Sequence, residues 1–147
     1  MEQVTDDRRE AGRALLRALD AIGLSPAGAA WVHDTKENVW FYILITTLVD
    51  ERGAYWIYER LMKYFSKVPL PKEISPFDLH IHSPNELAIQ ALFGAFHVED
   101  GEIDLKEVKI DNMEIDRMII YRMVRPEFQA KSSSKAFDER INLLTAA

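Results

Sequence analysis

Ala11, Ala14, Leu15, Ala18, Leu19 and Ile22 recur at intervals of three and four, the spacing of one helical face. Arg8, Arg9, Arg13, Arg17 and Asp20 fall on the opposite, solvated side. The pattern predicts an opening helix capped by Thr5 or Asp6 and ended at Gly23, where a left-handed residue closes the last turn. Residues 29–33 then predict a short strand, Asp34-Thr35-Lys36-Glu37-Asn38 a polar reversal, and residues 39–49 a long strand. In the long strand Trp40, Tyr42 and Leu44 alternate with Phe41, Ile43 and Ile45. Both sides are apolar, so the strand is expected at the centre of a sheet covered on both faces.

Asp50 is a candidate cap for a helix running to about Lys67, with Ile57, Tyr58, Leu61 and Phe65 inward. Val68-Pro69-Leu70-Pro71 stops it, because proline lacks a donor and restricts the residue before it. Residues 77–82 alternate, with Phe77, Leu79 and Ile81 inward and Asp78, His80 and His82 outward, and predict a strand. Ser83, Pro84 and Glu86 form a capping-box signature for a helix over 84–96 that is apolar nearly all round. Such a helix is buried on several sides or gives one face to a subunit contact. Residues 106–124 predict two strands that reverse at Asp111-Asn112 or at Asp116-Arg117. Lys131-Ser132-Ser133-Ser134-Lys135 reads as a linker, and Phe137, Ile141 and Leu144 as one face of a short final helix.

The resulting order, α-β-β-α-β-α-β-β plus a short C-terminal helix, implies an α+β fold. Its sheet is mixed, largely antiparallel, with helices packed on it. Residues 1–126 form the expected single domain, and 127–147 the linker and a helix that docks on this body or on a second copy.

Composition narrows the function. The 147 residues are 48% apolar, enough for a core without staples. With no cysteine there is no disulfide framework, thiolate nucleophile or thiolate metal site. The net charge of −6 argues against general nucleic-acid binding, whose affinity comes from neutralised phosphates. The mild basic groups Lys63, Lys67, Lys72 and Arg117, Arg122, Arg125 read as solvated faces or as helix-end charges that suit the macrodipole. Met1-Glu2-Gln3-Val4-Thr5 is unlike a secretory signal, and the longest apolar run is about half the ~20 residues of a membrane helix. Cytoplasm is the expected compartment, with no membrane partner.

The densest candidate chemistry is Asp78-Leu79-His80-Ile81-His82. On a strand the two histidines share a face with α-carbons ~7 Å apart, close enough for both to reach one ion. Imidazole suits zinc or another divalent transition metal. Asp78 is the nearest acidic residue, yet it lies ~13 Å from His82 on a straight strand. The fold would have to bring in Asp78, His33, Asp50, His97 or Glu99 as third ligand. Pairs of this kind more often mark the wet side of a half-buried strand.

Three further patterns carry less. Asp100 to Glu107 imitates the second half of an EF-hand loop, but the upstream ligand places hold Phe96 and Val98. Glu107-Val108-Lys109 matches half of a metal-dependent nuclease signature, whose aspartate, here Asp78, lies a whole helix upstream. Trp31, Trp40, Tyr42, Tyr55, Trp56 and Tyr58 could line a pocket for a planar ligand, although such residues are more often core. Phosphate-loop, dinucleotide, nucleophile-elbow and His-Glu-x-x-His motifs do not occur.

The run 39–61, in which Leu48-Val49-Asp50-Glu51-Arg52-Gly53 enters a helix bearing Tyr58, resembles small bacterial proteins that carry no assigned activity. That resemblance implies no catalytic residue and no substrate. The expectation is therefore a non-catalytic, homodimeric interaction or regulatory module without a cofactor. The alternative is a small metal-dependent hydrolase using His80 and His82, with Asp78 or Asp50 as third ligand or base.

Overall fold

The computed structural model describes residues 6–99, 101–110, 113–129 and 133–146. Helix α1 (Asp6–Ala21) ends at Gly23, whose φ of 87° is the left-handed stop expected there. Strands β1 (Gly28–Asp34) and β2 (Val39–Ile45) form a hairpin, and helices α2 (Leu48–Arg52) and α3 (Ala54–Phe65) follow. Strand β3 (Leu79–His82), helix α4 (Leu87–Ala95), strands β4 (Ile103–Ile110) and β5 (Met113–Met123), and helix α5 (Ser134–Thr145) complete the order.

The five strands make one mixed sheet in the order β3-β2-β1-β5-β4, in which β2 and β3 run parallel and the other neighbours antiparallel. This is the α+β architecture expected, and β2 is internal with both faces covered. Tyr42 and Leu44 enter one core with α1, α3 and α5, while Ile43 and Ile45 enter a second under α4. Among the described residues no helix is long and apolar enough to cross a membrane.

Helix α1 is pinned to the sheet by aromatic donors. Trp31 Nε1 donates to the Arg8 carbonyl (3.0 Å), Tyr121 Oη to Arg9 (2.8 Å) and Tyr42 Oη to Gly12 (2.8 Å). A helical carbonyl has a second lone pair, so these bonds satisfy buried hydroxyl and indole groups without breaking the helix. Gly12 permits the approach, because a Cβ there would stand 2.5 Å from Tyr121 Oη and 2.6 Å from Trp31 Nε1.

Several boundaries differ from the expectation. The long strand stops at Ile45, since the Thr46 hydroxyl accepts the Leu48 amide (3.2 Å) and turns the chain into α2. Asp50 thus lies inside α2 and caps nothing, and Gly53 separates α2 from α3. Residues 76–78 form a 3₁₀ turn closed by a reciprocal Ser75–Asp78 capping box. Phe77 is consequently 87% exposed and Asp78 lies outside the strand, whereas Leu79 and Ile81 do point into the core. Ser83 does not cap α4: its Oγ accepts the Asn85 amide and Glu86 accepts the Ser83 amide in a turn. The helix begins only at Leu87, with Glu86 at its cap position, and buries one side, through Ile89, Leu92 and Phe93.

Strand β4 starts three residues earlier than expected and runs to Ile110, which pairs with Met113 of β5; the expected turn residues Asp111 and Asn112 lie outside the described residues. Asp100 and Thr5, read as turn and cap, lie outside them too, as do Lys131 and Ser132 of the expected linker. Ser133 caps α5 by accepting the Ala136 amide (3.1 Å), and Ser134 and Lys135 already belong to the helix. Phe137 and Ile141 are wholly buried in the first core, while Leu144 is 46% exposed and does not join them.

Candidate functional site

Strand β3 closes one side of the sheet, and among the described residues its outer edge has no neighbouring strand. Thr46 N donates to the His82 carbonyl (3.1 Å), which turns the backbone of His82, and by alternation His80, toward β2. The Ile81 amide and carbonyl face outward. Register with Ile43 places His80 on the α4 side of the sheet, and His82 leaves from the same side.

The two imidazoles have different surroundings. His80 stacks on Phe41 with ring centroids 4.5 Å apart and planes 14° from parallel. Its ring nitrogens have no hydrogen bond among the described residues. Burial first, and the nearby His82 second, hold its pKa below the ordinary value, which favours a neutral ring. His82 donates from Nδ1 to the Glu86 carboxylate, at 3.0 Å to Oε1 and 3.2 Å to Oε2. That contact puts the proton on Nδ1 and leaves the Nε2 lone pair directed away from Glu86.

Glu86 is itself held, because its Oε2 accepts the Ser83 amide (2.8 Å). Asp50 fixes the same turn from α2, accepting from Ser83 Oγ (2.6 Å) and Asn85 Nδ2 (3.0 Å). The carboxylates proposed from the sequence as third ligands are thereby engaged. Asp78 accepts the Ser75 amide (2.9 Å), and Asp50 braces the 83–85 turn. His97 and Glu99 pair with each other (3.3 Å) on the surface, and His33 sits two strands away on β1. Among the described residues no group of three or more histidines, aspartates or glutamates is placed to hold a metal. His80 and His82 stand on one face of β3, with the Glu86 carboxylate beside His82 alone.

A second polar cluster had no sequence signal. His33, 4% exposed, donates from Nδ1 to Asp116 Oδ2 (2.9 Å), and its Nε2 meets the Asn38 side-chain amide (3.1 Å). The ring packs against Trp40, and a shallow cavity of about 470 Å³ opens beside it between Val32, Thr35, Phe41 and Ile115. Asp116 reaches His33 because the paired strands β4 and β5 change face at Glu107 and Asp116. Leu105 and Val108 share the second core although alternation would oppose them, and Met118 and Ile115 do the same. Glu107 takes up the break with φ at 52°. Both ring nitrogens of His33 are engaged, as in a buried structural histidine.

The remaining sequence candidates separate. Asp78 and Glu107 lie toward opposite edges of the sheet, so the nuclease half-signature is not assembled. Trp31 and Tyr42 are wholly buried in the core, and Trp56 packs on Phe137 with the Arg60 guanidinium 3.8 Å above it. Arg117 is buried and paired with Asp104, and Arg122 with Asp20, instead of forming a solvated basic face. Arg9 and Arg13 both bind Glu102, and Arg9 also binds Asp104 (2.8 Å), tying α1 to β4. Compared with known protein families, curated proteins and solved structures, the chain matches none.

Proposed function

We propose that this chain is a non-catalytic interaction module that associates with a second copy of itself through the β3 edge. The reading is carried by one observation: Phe77, 87% exposed, and Leu87, 88% exposed, bracket an unpaired edge strand. Lone exposed apolar residues are ordinary. Here each sits beside a turn held by side-chain hydrogen bonds, the Ser75–Asp78 capping box before the strand and the Ser83–Asn85–Glu86 bonds after it. Turns held this way reduce the entropy lost when such side chains are immobilised on binding.

An edge strand is a template for another strand, and antiparallel pairing about a two-fold axis is self-complementary. The other outer strand is less suited. Strand β4 carries Asp104, Lys106, Glu107 and Lys109 and a left-handed kink, features that discourage edge pairing. A cytoplasmic setting agrees with this reading through the cysteine-free composition. The hydrolase alternative has less support, because Asp78 and Asp50 are both engaged in holding turns.

Light scattering across a concentration series tests the proposal. The wild-type chain should form dimers, and the double variant Phe77→Lys, Leu87→Lys should remain monomeric with an unchanged melting temperature. A wild-type chain that stays monomeric at high concentration would contradict it.

A further inference from the structure

We infer that His80 and His82 are half of a zinc-type transition-metal site, completed by the same two histidines of a second copy. The inference rests on the self-association proposed above and gives that interface its ligand.

The two imidazoles meet the requirements of metal ligands separately and fail as a complete site together. Each leaves the same face of an edge strand, ~7 Å apart along the chain. His82 already has the arrangement that ligating histidines use, with one ring nitrogen hydrogen-bonded to a carboxylate and the other left for the ion. The Glu86 carboxylate is fixed by the Ser83 amide, so the ring is oriented before any ion arrives. His80 has its ring face supported by Phe41 and no hydrogen-bond partner for either nitrogen among the described residues. A tetrahedral ion needs more than two protein ligands, and no other described histidine, aspartate or glutamate joins this pair.

A two-fold axis supplies the remainder. The Ile81 backbone faces outward, and in the antiparallel register centred on it Ile81 lies opposite Ile81 of the second copy. His80 then lies opposite His82 of that copy on both sides of the axis, in the closer, non-hydrogen-bonded positions, with Cβ atoms ~5 Å apart. Four imidazoles thus mark the corners of a rectangle of ~5 by ~7 Å, all on one face. An ion above its centre lies within reach of four Nε2 atoms at the ~2.0–2.1 Å of a zinc–imidazole bond. The ion bridges the copies and adds its binding energy to an edge pairing of only four residues.

The experiment uses the full-length chain stripped by a chelator and then titrated with zinc or with cobalt(II). Mass and metal content are followed together, and cobalt is read by its visible absorption, which is intense only in tetrahedral sites. Expected are one ion per two chains, tighter dimerisation by at least tenfold, and a tetrahedral cobalt spectrum. His80→Gln and His82→Gln should abolish all three, and Glu86→Gln should weaken metal affinity about 10- to 100-fold while retaining the stoichiometry. Dimers that form equally well without metal, and in both histidine variants, would overturn the metal site and leave self-association standing. A chain that stays monomeric with and without zinc would remove both. One ion bound per monomer would overturn the shared site.

Discussion

Gly12 is the residue on which the first core closes, and its value is its missing side chain. In an exposed helix position alanine would be favoured over glycine by about 1 kcal/mol. Here a methyl group would displace Tyr121 Oη and Trp31 Nε1 from the Arg9 and Arg8 carbonyls they serve. Gly12→Ala should therefore destabilise by about 1–3 kcal/mol in urea titration, the cost of overpacking a closed core. A neutral or stabilising result would mean that α1 can lift from the sheet without loss.

Asp104 makes a prediction in acid. The Arg117 guanidinium, and with it Arg9, holds its carboxyl down to about 2 against an ordinary 3.8. A depressed carboxyl contributes stability that is complete above the unfolded-state value and disappears as pH falls through the folded one. Asp104→Asn should be less stable than wild type at pH 7, and the gap should close between about pH 4 and pH 2. Denaturant midpoints at several pH values check this. Glu102 follows the same direction, since hydrogen bonds from Arg9 and Arg13 overcome the upward push of its burial.

At this scale some of the site was readable and some was not. His80 and His82 share a face because two-residue alternation decides it, and alternation is visible in any sequence. Glu86 was visible only as a cap, yet the four-residue spacing from His82 also lets it orient that ring. The partnership of His33 with Asp116 was hidden, because it depends on a face change at Glu107, where no glycine advertises a left-handed residue.

Among the elements, α5 shows how a terminal segment can belong to the core. Its sequence suggested a helix docking on this body or on a second copy, and Phe137 and Ile141 are as buried in this chain's core as any residue of α1. Ser134 Oγ donates to Glu51 (2.6 Å), and Arg60 Nε donates to Asp138 (2.7 Å), so polar contacts flank the apolar seam to α2 and α3. Phe137→Ala should cost about 3–5 kcal/mol, the range for an aromatic removed from a closed core. A loss under 1 kcal/mol would instead mark α5 as a detachable arm.

The two strands that sequence patterning made too long, β2 and β3, share one cause. Leu48 and Val49 continue the apolar run of β2, so periodicity alone extends the strand, and only the Thr46 hydroxyl bonded to Leu48 N ends it. Phe77 continues the alternation of β3, and only the Ser75–Asp78 box removes it. In both places a local side-chain hydrogen bond competes with the ladder and wins. Where no such competitor exists, as across Trp40 to Ile45, alternation identified the faces correctly.

The whole molecule is an unequal sandwich, with helices α1, α3 and α5 over one face of the sheet and α4 alone over the other. Strands β1, β2 and β5 are buried on both sides, whereas β3 and β4 have one edge open. Opening free energies should follow that arrangement, since local opening is easiest where few apolar contacts cross the segment. In hydrogen-exchange mass spectrometry the β1 and β5 amides should be slowest, and those of β3 and the start of α4 among the fastest. The edge proposed to accept a partner would then be the part of the sheet least committed within one chain. Adding zinc to concentrated protein should slow exchange at Ile81 and its neighbours while β4 stays as it was. Equal slowing of both edges would point to general stabilisation, and no slowing at β3 would contradict association through that edge.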